Sequence, residues 1–396
     1  MAKRKKKSKI KLSAKVIAII AIVLIIAIVG VLIFKTFWPD KYNAIYNKIF
    51  GIETYEVASE EVLETSLTAS GNLQIHFLEL GNTYPGDCIY IKAGDTDILI
   101  DAGSETSSVP AIQSYLNQQM SDNILEYVIV THAHEDHYAG FATPASTDSL
   151  FDLYECEVII TFSQTNQKET SNMYKNYLRE LNEEIAAGAT HLTADECVEE
   201  DILLSDGIYL DILDSYYYYN ESDNENNYSV CCMIKQGQRN FLFTGDLENE
   251  GERDDNGNTI KGEEKLVEMN NLPNVVLYKA GHHGSKTSSS DALLSVVKPE
   301  ICVVQCVAGA DPHGAKPENR FPSQTFVDRI APYTSRVYVT TISTDWESKA
   351  YESMNGCVII ESNSETLKLK FTKNNVRLKD SDWFKANRTC PAAWQS

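Results

Sequence analysis

Three histidines and one aspartate lie within six residues, directly after an apolar segment. Residues 127–137 read YVIVTHAHEDH, and the whole chain has only eight histidines in 396 residues, so chance explains this cluster poorly. Side chains at i and i+2 of an extended backbone point to the same side, which lets His132 and His134 bind one metal ion. Asp136 and His137 follow where the chain turns, and they can face a second metal ion. Such nitrogen and oxygen donors suit Zn²⁺.

Two later segments also end in metal-type donors. Residues 241–246, FLFTGD, form an apolar strand whose tip carries Asp246, a carboxylate that is suited to bridge two metal ions. Residues 275–285, VVLYKAGHHGS, form another apolar strand that is followed by His282 and His283. Either segment alone would indicate an ordinary turn. Three strand ends that each carry metal-type donors indicate a shared site instead.

A further carboxylate ends an earlier apolar segment. Residues 98–103 read ILIDAG, so Asp101 stands at a strand end next to small residues. We predict that Asp101 orients an imidazole or a ligand loop from behind the metal site, because metal-bound histidines usually donate their second N–H to such a group. The alternative is an ordinary Asp-Ala-Gly turn.

From residue 73 onward, short apolar segments alternate with helical stretches. Strands are predicted over residues 73–80, 88–92, 97–101, 127–131, 158–161, 208–213, 230–235, 240–244, 275–279 and 301–307. Helices are predicted over residues 109–119, 170–186, 263–269, 289–297 and 322–331. This mixture predicts an α/β fold in layers, with the strands buried between helices.

Together these motifs resemble those of the metallo-β-lactamase superfamily. They occur in the order Ile-Asp-x-Gly, His-x-His-x-Asp-His, Thr-Gly-Asp and His-His-Gly-Ser. Within that superfamily the chain is most similar to the C-terminal domain of the competence protein ComEC, from about residue 73 to residue 362. Residues 77–81 with 86–87, residues 226–230 and residues 288–290 support this likeness. A second similarity is to the extracellular phosphorylcholine esterases that trim teichoic acids. The resemblance implies an αββα sandwich.

The chain also departs from the ComEC pattern. ComEC-type domains carry aspartate where His134 stands, and their loop is shorter than residues 81–87 of this chain. The multi-span channel of ComEC is not found in the 396 residues, so the resemblance does not imply DNA uptake. Nuclease activity is therefore one candidate among several.

The resemblance implies a set of ligands for two divalent ions, with Zn²⁺ expected and Mn²⁺ as the alternative. The first ion would be bound by His132 and His134. The second would be bound by Asp136, His137 and His283, and Asp246 would stand between the two ions.

Three residues have further implied roles. His282 would lie beside the ions, where it would contact the substrate or protonate the leaving group. Asp136 would orient the attacking water as well as bind metal. His191 is the only histidine between the two groups of motifs, and it is interpreted either as a third ligand of the first ion or as a surface histidine.

Three functions follow as hypotheses. The first is a phosphodiesterase in which a metal-bridged hydroxide attacks a nucleic acid or cell-envelope phosphoester. The second is hydrolysis of a lactone, β-lactam or thioester on the same fold. The third is a non-catalytic metal-binding module of the cell envelope, which the complete ligand set disfavours because a binding module needs no open coordination position.

The amino-terminal residues predict a membrane anchor. Residues 1–15 carry eight Lys or Arg and no acid, and residues 16–34 are nineteen residues without a charge. That length suits a hydrocarbon core of about 30 Å, and the basic flank predicts that everything after residue 35 lies outside the cytoplasm. A cleaved signal peptide is the alternative. We predict a stalk over residues 35–70, a catalytic domain over 71–375 and a tail over 376–396.

Charge constrains the partners. The chain has a net charge of −21, and without residues 1–15 the remaining 27 basic and 56 acidic residues give −29. Such a body repels polyanions at long range, so sequence-independent binding of nucleic acid is disfavoured. A single phosphoester could still bind where metal ions supply local positive charge.

Overall fold

The computed structural model describes residues 55–168, 171–254, 256–311 and 314–395. The predicted basic segment, the predicted membrane span over 16–34 and the first part of the predicted stalk lie outside these residues. Within the described ranges, no helix is both long and apolar enough to cross a membrane.

Strands and helices alternate through most of the described chain. The first nine strands are β1 (Ser59–Leu63), β2 (Leu73–Phe77), β3 (Ile89–Ala93), β4 (Thr96–Ile100), β5 (Ile124–Val130), β6 (Glu155–Thr161), β7 (Thr190–Thr193), β8 (Ile202–Ser205) and β9 (Ile208–Ile212). The remaining strands are β10 (Cys232–Gln236), β11 (Arg239–Phe243), β12 (Glu252–Arg253), β13 (Thr259–Ile260), β14 (Leu277–Lys279), β15 (Ile301–Ala308), β16 (Val337–Asp345), β17 (Ala350–Ser353), β18 (Val358–Ser362) and β19 (Leu367–Phe371). The helices are α1 (Val109–Gln119), α2 (Glu135–Tyr138), α3 (Leu150–Leu153), α4 (Asn172–Ala187), α5 (Gly262–Met269), α6 (Asp291–Val297), α7 (Gln324–Ile330) and α8 (Asp382–Asn387).

Two large sheets hold nearly all of these strands. The first has the order β1-β19-β18-β2-β3-β4-β5-β6-β7, and the second has the order β17-β16-β15-β14-β11-β10-β9-β8. The strands β4 to β7 run parallel in the first sheet, and β11, β14, β15 and β16 run parallel in the second. Parallel strands need their faces covered by helices, which explains the near-continuous apolar sequences of β5 and β15.

Alternate side chains of the second sheet enter two different apolar clusters. Phe241 and Phe243 of β11 belong to a cluster that they share with residues of the first sheet, and the ring centroids of Phe243 and Phe77 are 6.3 Å apart. Leu242 between them belongs to a cluster with Leu293 and Phe326 of helices α6 and α7. The two sheets therefore pack face to face, and helices cover the second sheet from outside.

This architecture confirms the predicted α/β sandwich. All ten predicted strands and all five predicted helices are present, with ends shifted by at most three residues. The strands after residue 330, namely β16 to β19, had not been predicted, although β18 and β19 complete the first sheet.

Two predicted boundaries differ from the structure. Ser59–Leu63, inside the predicted stalk, pairs with β19 from Ser59↔Phe371 to Leu63↔Leu367. Helix α8 lies in the predicted tail, where the side chains of Phe384 and Trp394 are buried. The folded body therefore includes residues on both sides of the predicted 71–375 domain.

Acid should weaken this fold through His76, which lies in β2 far from the candidate metal ligands in sequence. Burial, reinforced by Lys370 and Lys92, lowers the pKa of His76 from 6.5 to about 3. Below pH 6.5 the His76 imidazole therefore binds a proton in the unfolded chain but stays neutral in the folded chain. The folded state loses stability as pH falls from 6.5 towards 3. In chelator, the unfolding free energy of His76→Gln should fall less steeply between pH 6 and 4, by about 1.4 kcal/mol per pH unit. Urea titrations would measure the two slopes, and equal slopes would contradict this assignment.

Candidate metal centre

The carboxyl ends of parallel strands from both sheets meet at one edge of the sandwich. Asp101 follows β4, His132 follows β5, Asp246 follows β11, and His282 and His283 follow β14. Ligands commonly bind at this edge of parallel sheets, because the loops there bring residues from several strands together. The fold thus assembles the predicted site.

Asp101 fixes the histidine-rich turn after β5. Its carboxylate accepts hydrogen bonds from the backbone N–H of Thr131 at 2.8 Å and from the Thr131 hydroxyl at 2.8 Å. The same carboxylate lies 2.7 Å from Nδ1 of His137. His137 therefore presents Nε2 to the site, as predicted for a carboxylate that orients an imidazole from behind.

Asp246 lies at the centre of the cluster. Its Oδ2 atom is 3.1 Å from Nε2 of His137, 3.3 Å from Nε2 of His283 and 3.8 Å from Nε2 of His282. Oδ2 of Asp136 also lies 3.3 Å from Nε2 of His283. One carboxylate oxygen therefore faces three imidazoles, in the place predicted for a group between two ions.

His283 is oriented in the same way as His137. Its Nδ1 donates a hydrogen bond to the backbone carbonyl of Gln305 at 2.9 Å, which leaves Nε2 towards the carboxylates. His282 and His283 have φ values of 44° and 53°, a left-handed conformation that costs free energy for residues with a side chain. This turn directs two consecutive imidazoles to the same site.

His132 and His134 form the other half of the cluster. Nε2 of His132 lies 3.0 Å from Nδ1 of His134, and the ring centroids of His132 and His137 are 4.2 Å apart. The Thr131 hydroxyl lies 3.1 Å from Nδ1 of His132. The structure thus brings His132 and His134 together as predicted, beside the group that contains Asp246.

The donor atoms fit a bound cation. Within the described residues, His132, His137 and Asp246 form one group whose candidate ligand atoms lie within 4.8 Å of one another, and Asp136, His137 and His283 form another. Nε2 of His283 and Oδ1 of Asp246 are buried without a hydrogen bond. Buried polar atoms normally have partners, so these atoms suit ligands of a divalent ion.

Electrostatics also favours a cation here. Burial alone would lower the pKa of His137 and His283, but the facing carboxylates, Asp246 above all, raise both well above the ordinary value. Burial would likewise raise the pKa of Asp246, yet the facing imidazoles hold it well below its usual range. Positive charge is therefore strongly stabilised at this point. A metal ion would take the place of those protons, because metal-bound histidine must be neutral.

Sequence reasoning missed a buried lysine in the floor of the site. Lys279, the last residue of β14, is fully buried. Its ammonium group forms an ion pair with Asp87, lies 3.5 Å from Oδ1 of Asp246 and donates to the Gly245 carbonyl at 3.3 Å. Asp87 in turn lies 3.3 Å from Nδ1 of His283. The signal was present as a single lysine that ends an otherwise apolar strand.

Glu248 was also missed. Its carboxylate lies 2.8 Å from Nδ1 of His282 and accepts hydrogen bonds from Thr287, Asn226 and Asn224 at 2.8, 3.0 and 2.8 Å. These contacts hold the His282 ring with Nε2 towards Asp246. No spacing in the sequence connects Glu248 with this histidine.

His191 does not join the cluster. It lies in β7 at the edge of the first sheet, and its Nε2 is 2.9 Å from the Thr161 hydroxyl. Among the described residues, neither His191 nor His134 belongs to a group of three metal-type donors within 4.8 Å of one another, but His134 lies against His132 whereas His191 contacts Thr161. Its assignment as a candidate third ligand is corrected accordingly, because β7 places it on an edge strand before that strand's carboxyl end.

The residues of the site differ in exposure, and we call the buried ones the floor of the site and the partly exposed ones its mouth. His132, His137, Asp246 and His283 are buried, and so are Asp87 and Lys279 beneath them. His134, Asp136 and His282 are partly exposed. Among the described residues, these three form the side of the site that a substrate can reach.

Comparison with known proteins identifies sequences that are similar to this chain. Residues 81–143 match the model of the metallo-beta-lactamase superfamily. Recombination protein 2 of Haemophilus influenzae is 24% identical over 272 residues, which cover 68% of this chain and 28% of that protein. ComE operon protein 3 of Bacillus subtilis is 30% identical over 83 residues, which cover 20% of this chain and 9% of that protein. The chain thus spans less than a third of either relative.

Two solved structures show a distant similarity to this chain. The metallo-beta-lactamase fold protein YhfI from Bacillus subtilis has a TM-score of 0.40 and 10% identity, covering 74% of this chain and 100% of YhfI. Unliganded yeast PDE1 has a TM-score of 0.40 and 11% identity, covering 76% of this chain and 99% of PDE1.

Metal content should depend on Asp246 and not on His191. We expect the full chain to retain about two divalent ions, and Asp246→Asn to retain fewer than one, because the carboxylate that would stand between the two ions would be lost. The control His191→Gln should retain the wild-type content. Inductively coupled plasma mass spectrometry would measure the ions per chain, with circular dichroism to verify folding. Wild-type content in a folded Asp246→Asn protein would rule out the central position of this carboxylate.

Proposed function

We propose that this chain, which carries a metallo-β-lactamase superfamily domain, is a dinuclear metal-dependent phosphodiesterase. The observation that carries the proposal is the convergence of imidazole and carboxylate donors around Oδ2 of Asp246, at a site that opens on one side. A structural metal site is closed by four protein ligands, whereas a catalytic site keeps a position for water or substrate.

Bound divalent ions, Zn²⁺ or Mn²⁺, would lower the pKa of a shared water and neutralise charge on a phosphoryl oxygen. The protein's own residues orient the water and contact the substrate. Asp136 is partly exposed at the mouth, where its second oxygen can orient the attacking water. His282, held by Glu248, presents Nε2 to the same space and can contact a phosphoryl oxygen or the leaving group.

Charge supports a small phosphoester more than a long polyanion. The −29 body repels extended nucleic acid. At the site itself, the buried ammonium of Lys279 and two divalent ions would offset the carboxylates of Asp87, Asp101, Asp136 and Asp246. The attraction for phosphate is therefore confined to the metal centre. The two curated relatives are named for recombination and for a competence operon, which keeps a nucleic-acid phosphodiester among the candidates.

A substrate panel tests the reaction. We expect the full chain loaded with Zn²⁺ or Mn²⁺ to hydrolyse bis-p-nitrophenyl phosphate, and chelator to abolish the activity. His132→Ala should lower turnover at least about 100-fold, since removing a group that stabilises transition-state charge has effects of that order, while the control His191→Ala should match wild type. Release of p-nitrophenolate measures the rate. Turnover of nitrocefin or a lactone in its place would establish the carbonyl alternative, and turnover of none of them would favour a metal-binding module.

We also propose that residues 16–34 anchor the chain in the cell membrane as a single pass, with the domain outside the cytoplasm. Support comes from the uncharged stretch of nineteen residues after a basic segment. In a bacterial host that expresses the full chain, the protein should sediment with membranes. Protease added to spheroplasts should digest the domain while a cytoplasmic marker survives. Protection of the domain until the cells are lysed would contradict this orientation.

A further inference from the structure

One aromatic side chain lies at the mouth of the site. The ring centroid of Phe321 is 5.5 Å from that of His282 and 5.6 Å from that of His283. Phe321 is partly exposed, although it packs against the apolar cluster beneath helices α6 and α7. Its ring therefore forms a wall beside the same opening that exposes His282.

The backbone of Phe321 is fixed on both sides. Its carbonyl accepts a hydrogen bond from Gly309 N–H at 2.9 Å, and the N–H of Ser323 donates to the Gly284 carbonyl at 2.8 Å. A Cβ atom at Gly284 would stand 2.9 Å from Cβ of Pro322, so only glycine lets this segment approach the His-His turn so closely. The wall is thereby joined to the loop that carries His282 and His283.

Arg388 clamps the same segment from the carboxyl-terminal side. Its guanidinium donates to the carbonyls of Pro322, Pro317 and Arg320 at 2.9, 3.1 and 2.7 Å. The group also lies 4.7 Å from the Trp383 ring centroid. A planar guanidinium presents five donors in a fixed fork, so it holds these carbonyls in set directions, whereas an ammonium group offers three donors from a single point. Residues beyond 376 thus hold the wall in place.

These contacts leave the partly exposed side of the Phe321 ring open to a ligand. The ring adjoins the exposed imidazole of His282 on the open side and the apolar cluster on the other. Flat rings pack favourably on an aromatic side chain, by face or edge. A phosphoester whose phosphorus lies at the metal centre would place its ester group against this wall.

We propose that Phe321, positioned by Arg388, is a specificity-determining residue that selects phosphoesters with an aromatic ring next to the phosphoryl group. The inference rests on the proposed phosphodiesterase function and adds the substrate class. Aryl esters carry the ring directly on the ester oxygen, and nucleotides carry it one sugar away from the phosphoryl group; each can present a flat ring to the wall.

Phosphonate binding measures the contribution of the ring separately from that of the phosphoryl group, and it needs no turnover. With the metal-loaded full chain, calorimetry should give a Kd for phenylphosphonate about tenfold lower than that for methylphosphonate, the order expected from stacking of one ring. In Phe321→Ala this ratio should fall to about one while metal content stays at the wild-type value. The matched control Tyr209→Ala, which truncates an exposed aromatic ring in β9, should keep the tenfold ratio.

Two further variants keep the test decisive if Phe321→Ala does not fold. Phe321→Leu retains apolar volume without a flat ring, and Arg388→Lys retains charge without the planar fork. Each should reduce the phenyl-to-methyl ratio to less than half while its metal content stays unchanged. An undiminished ratio in folded Phe321→Leu would overturn the role of the ring, and one in folded Arg388→Lys would overturn the role of the clamp.

Thymidine 5′-monophosphate and ribose 5-phosphate distinguish the two sources of the ring. Tighter binding of the thymidine compound, lost in Phe321→Ala, would assign a nucleobase to the wall, whereas equal binding would assign the wall to aryl esters. Equal Kd values for phenyl- and methylphosphonate in the wild-type chain would overturn the inference while phosphodiester turnover stands. Failure of every phosphonate to bind, together with no turnover, would overturn the proposed function as well.

Discussion

A single carboxylate oxygen, Oδ2 of Asp246, organises the site. It lies between imidazoles supplied by both sheets, with His137 on one side and His283 on the other. Burying a carboxylate in a protein interior costs free energy unless positive charge faces it. The two sheets therefore have to meet at a position where positive charge can bind, and the metal centre and the packing of the sandwich depend on the same contact.

Lys279 is a permanently charged cation that balances part of the carboxylate charge at the site. Asp87, Asp101, Asp136 and Asp246 contribute four carboxylates, and among the described residues Lys279 is the ammonium group that contacts this set. Burial would lower the pKa of Lys279, but Asp87 and Asp246 raise it, so the ammonium stays charged. It pairs with Asp87 and lies 3.5 Å from Oδ1 of Asp246, an atom that has no hydrogen bond. Both oxygens of Asp246 and the facing Nε2 atoms are therefore available to exchangeable cations.

The sequence predicts what is local and misses what depends on distant pairing. His132, Asp246 and His283 each follow an apolar strand, so short patterns suffice to place them at strand ends. The Lys279–Asp87 pair joins residues 192 positions apart, and the β1–β19 pairing joins Ser59 with Phe371, so no short pattern indicates either contact. His191 shows the converse error. Its side-chain type suits a metal, but only the position of β7 in the sheet determines whether it can reach one.

The buried groups of the floor and the partly exposed groups of the mouth are held in place in different ways. The floor consists of buried groups from both sheets, so the same groups serve the packing of the sheets and the binding of metal. The mouth consists of partly exposed groups that lie outside the strands, and Phe321 is held there by Arg388, which lies outside the predicted domain and donates to carbonyls of the Phe321 segment. Substrate preference can therefore change through the loop and the carboxyl-terminal segment while the metal chemistry stays the same. On this basis, likeness to metallo-β-lactamase domains informs the reaction class more strongly than it informs the substrate.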